Sequence, residues 1–301
     1  MTSTASPTAG QWLQGARPRT LPAAAAPVVA ASGLAAWVDG FAPVPALLAL
    51  VVALSLQVGV NYANDYSDGI RGTDAARVGP LRLVGSGLVP PAVVKRAAFA
   101  CFGLAAVAGL VLVVRTGQEW LLAVGAVCVL AAWYYTGGKR PYGYRGLGEV
   151  FVFVFFGLVA VCGTYYVQVG GVPLAALLTG VWVGALACAI LVVNNLRDLD
   201  GDRAVGKRTL ATRLGDRGTR ILYVSLIRMA ALVLVVVALL TSSWALAGLA
   251  GLVVALPASR RVLEGATGRE LVPVLSSTGL AQLVAAVAFA AGLALSGAGV
   301  L

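Results

Sequence analysis

The chain has 301 residues, of which 59% are hydrophobic and only 11% are charged. A soluble domain carries roughly 25% charged residues, so this composition excludes an ordinary water-soluble globule. The chain has no histidine, and its four cysteines are spread through apolar stretches. Histidine-based catalysis, a histidine-ligated zinc or haem site and a disulfide framework are therefore excluded, and any metal must be held by oxygen ligands.

Nine apolar runs are long enough to cross a bilayer, whose hydrocarbon core of about 30 Å needs roughly 20 helical residues. They cover approximately residues 20–38, 44–63, 93–114, 119–136, 149–168, 173–193, 221–240, 243–257 and 278–297. Glycine is frequent, with 37 residues, and small residues let helices pack closely in lipid. We predict an all-α, polytopic membrane protein with about nine transmembrane helices around a central cavity.

The positions of the basic residues predict the orientation, because Lys and Arg collect on the cytoplasmic side of short loops. Of the 22 basic residues, all except Arg115 and Arg228 precede the first span or follow an even-numbered one. We therefore expect a multi-pass protein of the cell membrane with its N-terminus in the cytoplasm and its C-terminus outside. The same rule accounts for the net charge of +10, so this charge does not indicate binding to nucleic acid.

Half of the 12 acidic residues lie in two clusters, at the ends of the second and sixth spans. With their neighbouring amides, the clusters comprise Asn61, Asn64, Asp65, Asp68 and Asp74, and Asn194, Asn195, Asp198, Asp200 and Asp202. Residues three or four apart share one helix face, where like charges repel unless a cation organises them. An all-oxygen site fits Mg²⁺, which prefers carboxylates, waters and substrate phosphates. The alternative is that these residues cap helices and form cytoplasmic turns; the repeated Asn-before-Asp pattern favours the metal.

The two clusters stand four spans apart, which predicts two parallel halves that each contribute one edge of a shared site. We expect a single domain over residues 1–301, with halves at about 17–145 and 146–260 and a final span at about 278–297. Arg82 and Lys139 lie beside Gly and Tyr residues in the intervening loops, and Lys207 follows the second cluster. Such donors suit a phosphate group, although each can also be a simple marker of the cytoplasmic side.

These residues resemble those of the UbiA superfamily of membrane prenyltransferases. The resemblance rests on Asn64, Asp68 and Asp74 with Asn195, Asp198 and Asp202, on nine spans, and it covers nearly the whole chain. Four further stretches are most similar to the actinobacterial branch that prenylates 1,4-dihydroxy-2-naphthoate in menaquinone synthesis. They are residues 15–22 (GARPRTLP), 61–74 (NYANDYSDGIRGTD), 135–149 (YTGGKRPYGYRGLGE) and 194–198 (NNLRD) running on to 209–215 (TLATRLG). Five residues separate Asp68 from Asp74, a spacing that favours the naphthoate branch over the 4-hydroxybenzoate branch.

The resemblance implies a role for each matching position. Asp68, Asp74, Asp198 and Asp202 would be catalytic and, with Asn64, would bind Mg²⁺ and through it the diphosphate of a polyprenyl donor. The implied substrate-binding residues are Asn61, Asn64, Asn195, Arg82, Tyr135, Lys139, Arg197 and Lys207. Asp65 and Asp200 are extra carboxylates that either orient metal-bound waters or cap a turn.

The implied reaction transfers a polyprenyl group from polyprenyl diphosphate to 1,4-dihydroxy-2-naphthoate, with loss of CO₂, to give demethylmenaquinone. Metal and basic side chains would neutralise the departing diphosphate, and aromatic faces would shelter the allylic cation. The aromatic candidates are Tyr62, Tyr66, Tyr134, Tyr135, Phe155 and Phe156, although each ring can equally be ordinary packing.

Three alternatives stay open at this point. The acceptor could be 4-hydroxybenzoate or homogentisate. Asp65, Asp68 and Gly69 match the opening of the CDP-alcohol phosphotransferase motif, but Gly72 and Thr73 stand where that motif needs Ala-Arg. A cation-coupled transporter would place its acidic residues near the bilayer midplane at broken helices, whereas these lie at helix ends on one side.

Overall fold

The computed structural model describes residues 7–72 and 81–297, and every regular element in those ranges is helical. Thirteen α-helices are connected by short loops, by 3₁₀ turns and by one π-helical stretch at Phe153–Val159. The helices are α1 Ala9–Gly15, α2 Leu21–Trp37, α3 Pro43–Arg71, α4 Pro91–Thr116, α5 Leu121–Tyr134, α6 Gly148–Val152, α7 Ala160–Val169, α8 Leu174–Arg197, α9 Leu199–Ala204, α10 Leu210–Leu240, α11 Leu249–Val254, α12 Leu256–Leu263 and α13 Leu271–Gly297.

Within the described ranges, eight helical segments are long and apolar enough to cross a membrane. They are Ala9–Trp37, Pro43–Arg71, Pro91–Thr116, Gly148–Val169, Leu174–Arg197, Leu210–Leu240, Ser243–Leu263 and Gly268–Gly297. The predicted span at 119–136 corresponds to α5, which has only 14 residues and a length of about 21 Å at 1.5 Å per residue. The prediction of about nine membrane helices is confirmed with this one qualification, and the protein is a multi-pass membrane protein.

Proline and glycine fix the ends of the two helices that precede the site. Pro43 begins α3 and Pro91 begins α4, where the missing N–H costs no hydrogen bond. Gly72 ends α3 with φ 71° and Gly117 ends α4 with φ 67°, the left-handed conformation that glycine adopts without strain. Because α3 continues to Arg71, the first acidic cluster lies on its last turns and has helical spacing.

Helix α8 is the centre of the bundle. Trp182 and Leu186 on α8 are fully buried within a core that also includes α2, α10 and α13. The π-helical stretch crosses α8 at close range: a Cβ atom at Gly157 would lie 2.5 Å from the carbonyl oxygen of Gly180 and 2.8 Å from the Cα of Gly184. This tight contact holds the C-terminal end of α8, and with it the second acidic cluster, in a defined position.

A second, smaller core lies between α3 and α4 and contains Tyr62, Leu83 and Phe102. On the other side of α4, Leu104 and Val107 are exposed, as expected for side chains that face lipid. Between the two cores lies a cavity bounded by α2, α3, α4, α5, the π-helical stretch and α8. The arrangement in two parallel halves stays a prediction.

Candidate active site

The cavity has a volume of about 850 Å³, a polar end and mainly apolar walls. Nine of the predicted site residues line it and are brought together there. They are Asn61, Asn64, Asp68, Arg82, Tyr135, Asn195, Asp198, Asp202 and Lys207. Of the remaining three, Lys139 and Arg197 are not among the lining residues, and Asp74 lies outside the described residues.

Asp68 is the most densely surrounded carboxylate of the first cluster. It is buried near the end of α3 and accepts a hydrogen bond from the Tyr144 hydroxyl at 2.5 Å. Arg82 Nη2 lies 3.6 Å from Asp68 Oδ2, and Lys207 Nζ lies 4.0 Å from Oδ1. Two cationic side chains therefore compensate the buried charge, and they also stand where an anionic ligand could share them.

Asp65, one helical position from Asn64, has a different role. Its carboxylate is 1% exposed and accepts hydrogen bonds from the backbone N–H groups of Leu83 at 2.7 Å and Val84 at 3.1 Å. Asp65 does not line the cavity. Of the two roles that the sequence left open, the structure supports the cap: Asp65 fixes the loop that carries Arg82.

The second cluster begins at the C-terminal end of α8. Arg197 contacts both carboxylate oxygens of Asp198, with Nε to Oδ1 at 2.8 Å and Nη2 to Oδ2 at 2.7 Å. It also donates to Asn194 Oδ1 at 3.0 Å. The structure thus directs Arg197 to Asp198 and not into the cavity, because a planar guanidinium pairs best with a carboxylate through two parallel bonds. Asp200 has a side chain that is 98% exposed, next to Arg203, and lies outside the site.

Lys207 connects the two clusters. Its Nζ atom lies 3.7 Å from Asp202 Oδ1 and 4.0 Å from Asp68 Oδ1, and it stands 4.5 Å from the centre of the Tyr144 ring. The Arg208 backbone N–H donates to the Tyr144 carbonyl at 3.0 Å, which ties the two loops together. Carboxylates that are distant in sequence therefore face one position in the cavity.

The loop after α5 closes the polar end of the cavity. The Thr136 hydroxyl donates to Asn64 Oδ1 at 2.7 Å, and Arg71 donates to the carbonyls of Thr136 and Gly138. This arrangement leaves Lys139 exposed on the outer side of the loop, so the structure does not bring it to the cavity. Tyr144, which contacts Asp68, was missed as a site residue although it lies in the conspicuous 135–149 stretch.

Asn61 lines the cavity, but its side chain is used for packing. Its Nδ2 atom donates to the carbonyl of Ala16 at 2.8 Å and to the hydroxyl of Thr20 at 3.0 Å. Gln57 donates to the same Thr20 hydroxyl at 2.9 Å. Asn61 therefore anchors the segment before α2 against α3, and the contacts in the structure give it no direct bond toward the acidic clusters.

Aromatic rings form part of the apolar wall. Of the predicted rings, Tyr135, Phe155 and Phe156 line the cavity, whereas Tyr62, Tyr66 and Tyr134 do not. Tyr142 and Phe151, which the sequence did not single out, also line it and stack with ring centres 3.9 Å apart. Burial raises the pKa of Tyr142, so its hydroxyl stays protonated and donates to the Ala131 carbonyl at 2.8 Å.

The donor set of the polar end fits Mg²⁺ that is held together with a phosphate ligand. Asp68, Asp198 and Asp202 supply carboxylate oxygens, and Asn64 and Asn195 supply amide oxygens, at the rim of one cavity. Within the described ranges, no three acidic or cysteine side chains converge closely enough to hold a metal ion alone. Since Mg²⁺ in such sites commonly takes only one or two carboxylates and completes its shell with water and phosphate oxygens, this arrangement suits a metal–diphosphate complex.

Comparison with known proteins identifies the family. The model of the UbiA prenyltransferase family matches residues 24–271. The chain belongs to the UbiA prenyltransferase family. Among curated relatives in the family, "1,4-dihydroxy-2-naphthoate octaprenyltransferase" of Mycobacterium tuberculosis is 55% identical over 284 residues, which cover 94% of this chain and 97% of the relative.

Solved structures of UbiA homologues share the fold. The apo structure of a homologue from Aeropyrum pernix K1 aligns with a TM-score of 0.70 at 15% identity and covers 91% of this chain and 97% of that one. The homologue from Archaeoglobus fulgidus bound to GPP and Mg²⁺ aligns with a TM-score of 0.62 at 14% identity and covers 92% and 99%. The predicted UbiA-type fold is confirmed.

Proposed function

We propose that the protein transfers a polyprenyl group from polyprenyl diphosphate to 1,4-dihydroxy-2-naphthoate in a Mg²⁺-dependent step of menaquinone biosynthesis. The observation that carries this proposal is the convergence of Asp68 and Asp202 on Lys207, at the polar end of a cavity whose other walls are apolar. The 55% identity to a naphthoate octaprenyltransferase over 94% of the chain supports the choice of acceptor.

The reaction needs a site that stabilises a leaving group. The allylic C–O bond breaks and its electron pair leaves with the diphosphate, while the electron-rich ring forms a C–C bond to the allylic carbon. The ring carboxylate then departs as CO₂, which leaves demethylmenaquinone at the hydroquinone level. The departing anion gains negative charge, so preorganised positive groups at its position accelerate the step.

Arg82 and Lys207 are the basic residues placed to bind the diphosphate. Both line the cavity and both approach Asp68. When bound, Mg²⁺ supplies further positive charge to the phosphate oxygens, and Asp68, Asp198 and Asp202 with Asn64 would hold it. Asp74 stays a predicted ligand. The A. fulgidus homologue bound to GPP, a prenyl diphosphate, and Mg²⁺ supports this assignment.

The apolar part of the cavity suits the hydrocarbon chain and the allylic cation. Phe151, Phe155 and Phe156 line it together with Tyr135. Aromatic faces stabilise a nearby cation, and the apolar walls exclude the water that would otherwise capture it. Tyr135 lies near the polar end, where the reacting carbon would sit, so we assign it to the reaction chamber.

The test uses purified protein with a polyprenyl diphosphate and three acceptors offered side by side: 1,4-dihydroxy-2-naphthoate, 4-hydroxybenzoate and homogentisate. We expect a prenylated, decarboxylated product from the naphthoate alone, with no product in excess chelator. Asp68→Asn and Asp198→Asn should nearly abolish turnover while the protein still inserts. Asp200→Asn is the matched control, because Asp200 belongs to the same cluster but is exposed, and it should retain activity.

Two outcomes would contradict this function. Equal activity with another acceptor would make the protein an aromatic prenyltransferase of different specificity. Full turnover in chelator, or in both the Asp68 and Asp198 variants, would refute the metal-assisted mechanism. A CDP-alcohol phosphotransferase or a transporter does not fit the family to which the chain belongs.

We further propose that the protein resides in the cell membrane with the polar end of the cavity toward the cytoplasm. The N-terminus would then lie inside and the C-terminus outside, in agreement with the distribution of basic residues. Alkaline phosphatase fused after Leu301 should be active, and the same reporter inserted between Gly143 and Tyr144 should be inactive. The reverse pattern would overturn the orientation.

A further inference from the structure

Glu149 is a buried carboxylate inside a membrane-spanning segment, and the mechanism described above does not use it. It lies at the start of α6 and is 8% exposed. Its Oε1 atom accepts a hydrogen bond from Asn195 Nδ2 at 2.9 Å. Its Oε2 atom has no hydrogen-bond partner among the described residues. Buried polar atoms are nearly always satisfied, so an exception calls for an explanation.

The contact with Glu149 determines which way the Asn195 side chain points. An ionised carboxylate only accepts hydrogen bonds, so the amide nitrogen of Asn195 must face it. The carboxamide is planar, and its oxygen is therefore directed away from Glu149. Asn195 lines the cavity whereas Glu149 does not, and among the described residues no donor contacts Asn195 Oδ1.

The two neighbouring amides differ in this respect. Asn64 Oδ1 accepts a hydrogen bond from the Thr136 hydroxyl at 2.7 Å, and Asn194 Oδ1 accepts one from Arg197 at 3.0 Å. Asn195 is thus the amide at this end of the cavity whose oxygen is left for a ligand. Amide oxygens coordinate hard cations, whereas an amide NH₂ group repels them.

We propose that Glu149 is a positioning residue that fixes the Asn195 carboxamide with its oxygen toward the metal–diphosphate complex. The inference rests on the proposed function and assigns Glu149 no contact with substrate. Without Glu149, the carboxamide can flip and present its NH₂ group to the cavity. The unpaired Oε2 atom supports a functional reason for the carboxylate, because an apolar side chain at this buried position would leave no unsatisfied atom.

The test compares three variants by direct metal binding as well as by activity. Mn²⁺ binding is measured by electron paramagnetic resonance with an unreactive prenyl thiolodiphosphate present, and the Mg²⁺ dependence of turnover is measured in parallel. Glu149→Met should weaken Mn²⁺ binding about tenfold or more, as loss of a residue that orients a metal ligand commonly does. Glu149→Gln keeps an oxygen that accepts from Asn195 Nδ2, and it should restore binding close to wild type.

Gln282→Leu is the matched control. Gln282 is fully buried, donates to the Val183 carbonyl of α8 at 3.1 Å and has an Oε1 atom without a partner among the described residues. It contacts the same helix as Glu149 but not the cavity. This variant should lower thermal stability without changing Mn²⁺ binding.

Asn195→Ala provides an independent check, since in that background Glu149→Met should cause no further loss of Mn²⁺ binding. Wild-type binding in Glu149→Met, an equal loss in Gln282→Leu, or additive losses in the double variant would each overturn the proposal. If Glu149→Met does not accumulate in membranes, Glu149→Ser, whose hydroxyl is too short to reach Asn195, replaces it. A wild-type protein that neither binds the analogue with metal nor transfers a prenyl group would refute the proposed function instead.

Discussion

Replacing Asp65 by alanine tests how the fold places a basic residue beside the first acidic cluster. Asp65 is buried and holds the backbone N–H groups of Leu83 and Val84, at 2.7 and 3.1 Å. These bonds fix the loop that positions Arg82 3.6 Å from Asp68. Without the carboxylate, both N–H groups lose their acceptor and the loop can move away from the cavity.

The size of the effect can be estimated from these two bonds. A hydrogen bond to a charged group contributes about 1.5–3 kcal/mol, and a buried donor left without a partner costs about 1–3 kcal/mol. The Val84 bond is only partly buried, and removal of a buried carboxylate also relieves its desolvation penalty. We therefore expect Asp65→Ala to lower the free energy of unfolding by roughly 2–3 kcal/mol. Asp65→Asn keeps one acceptor oxygen, and its loss should be about half as large.

The assay combines thermal unfolding of the purified protein with steady-state kinetics. Asp65→Ala should unfold at a lower temperature and show a KM for the prenyl diphosphate raised about tenfold, equivalent to roughly 1.4 kcal/mol of lost binding. Asp39→Asn is the control, since Asp39 is exposed with φ 56°, a conformation that asparagine tolerates. Wild-type stability in Asp65→Ala would refute the cap. Lower stability with an unchanged KM would show that the loop does not position Arg82 for the donor.

Two further predictions concern the site and the bundle. Tyr144→Phe removes the hydroxyl that donates to Asp68 but keeps the ring beside Lys207, so kcat/KM should fall about 10- to 100-fold with little change in stability; unchanged kinetics would exclude Tyr144 from the site. Gly157→Ala places a Cβ atom 2.5 Å from the Gly180 carbonyl oxygen and should destabilise the protein by about 1–3 kcal/mol. Gly103→Ala on α4 meets no atom within 4 Å and should leave the unfolding temperature unchanged or higher; equal behaviour of the two variants would contradict the tight contact with α8.

The sequence by itself determined the membrane architecture and the composition of the site. A bilayer span depends on local hydropathy and length, so the apolar runs located the membrane helices, and only α5 proved shorter than its run. The two acidic clusters were recognisable because carboxylates and amides are rare in such a chain and recurred at helical spacing. This local information sufficed to predict Asp68, Asp198 and Asp202 as neighbours of one cavity.

Only the tertiary structure decided how each side chain is used. Lys207 meets both clusters, whereas Lys139, with a similar sequence context, is exposed. Asp65 caps a loop while Asp68, one turn further along α3, faces the cavity. Such differences depend on which helices pack together and on the path of the loops between them. Those are long-range contacts that neither hydropathy nor the spacing of residues along the chain encodes.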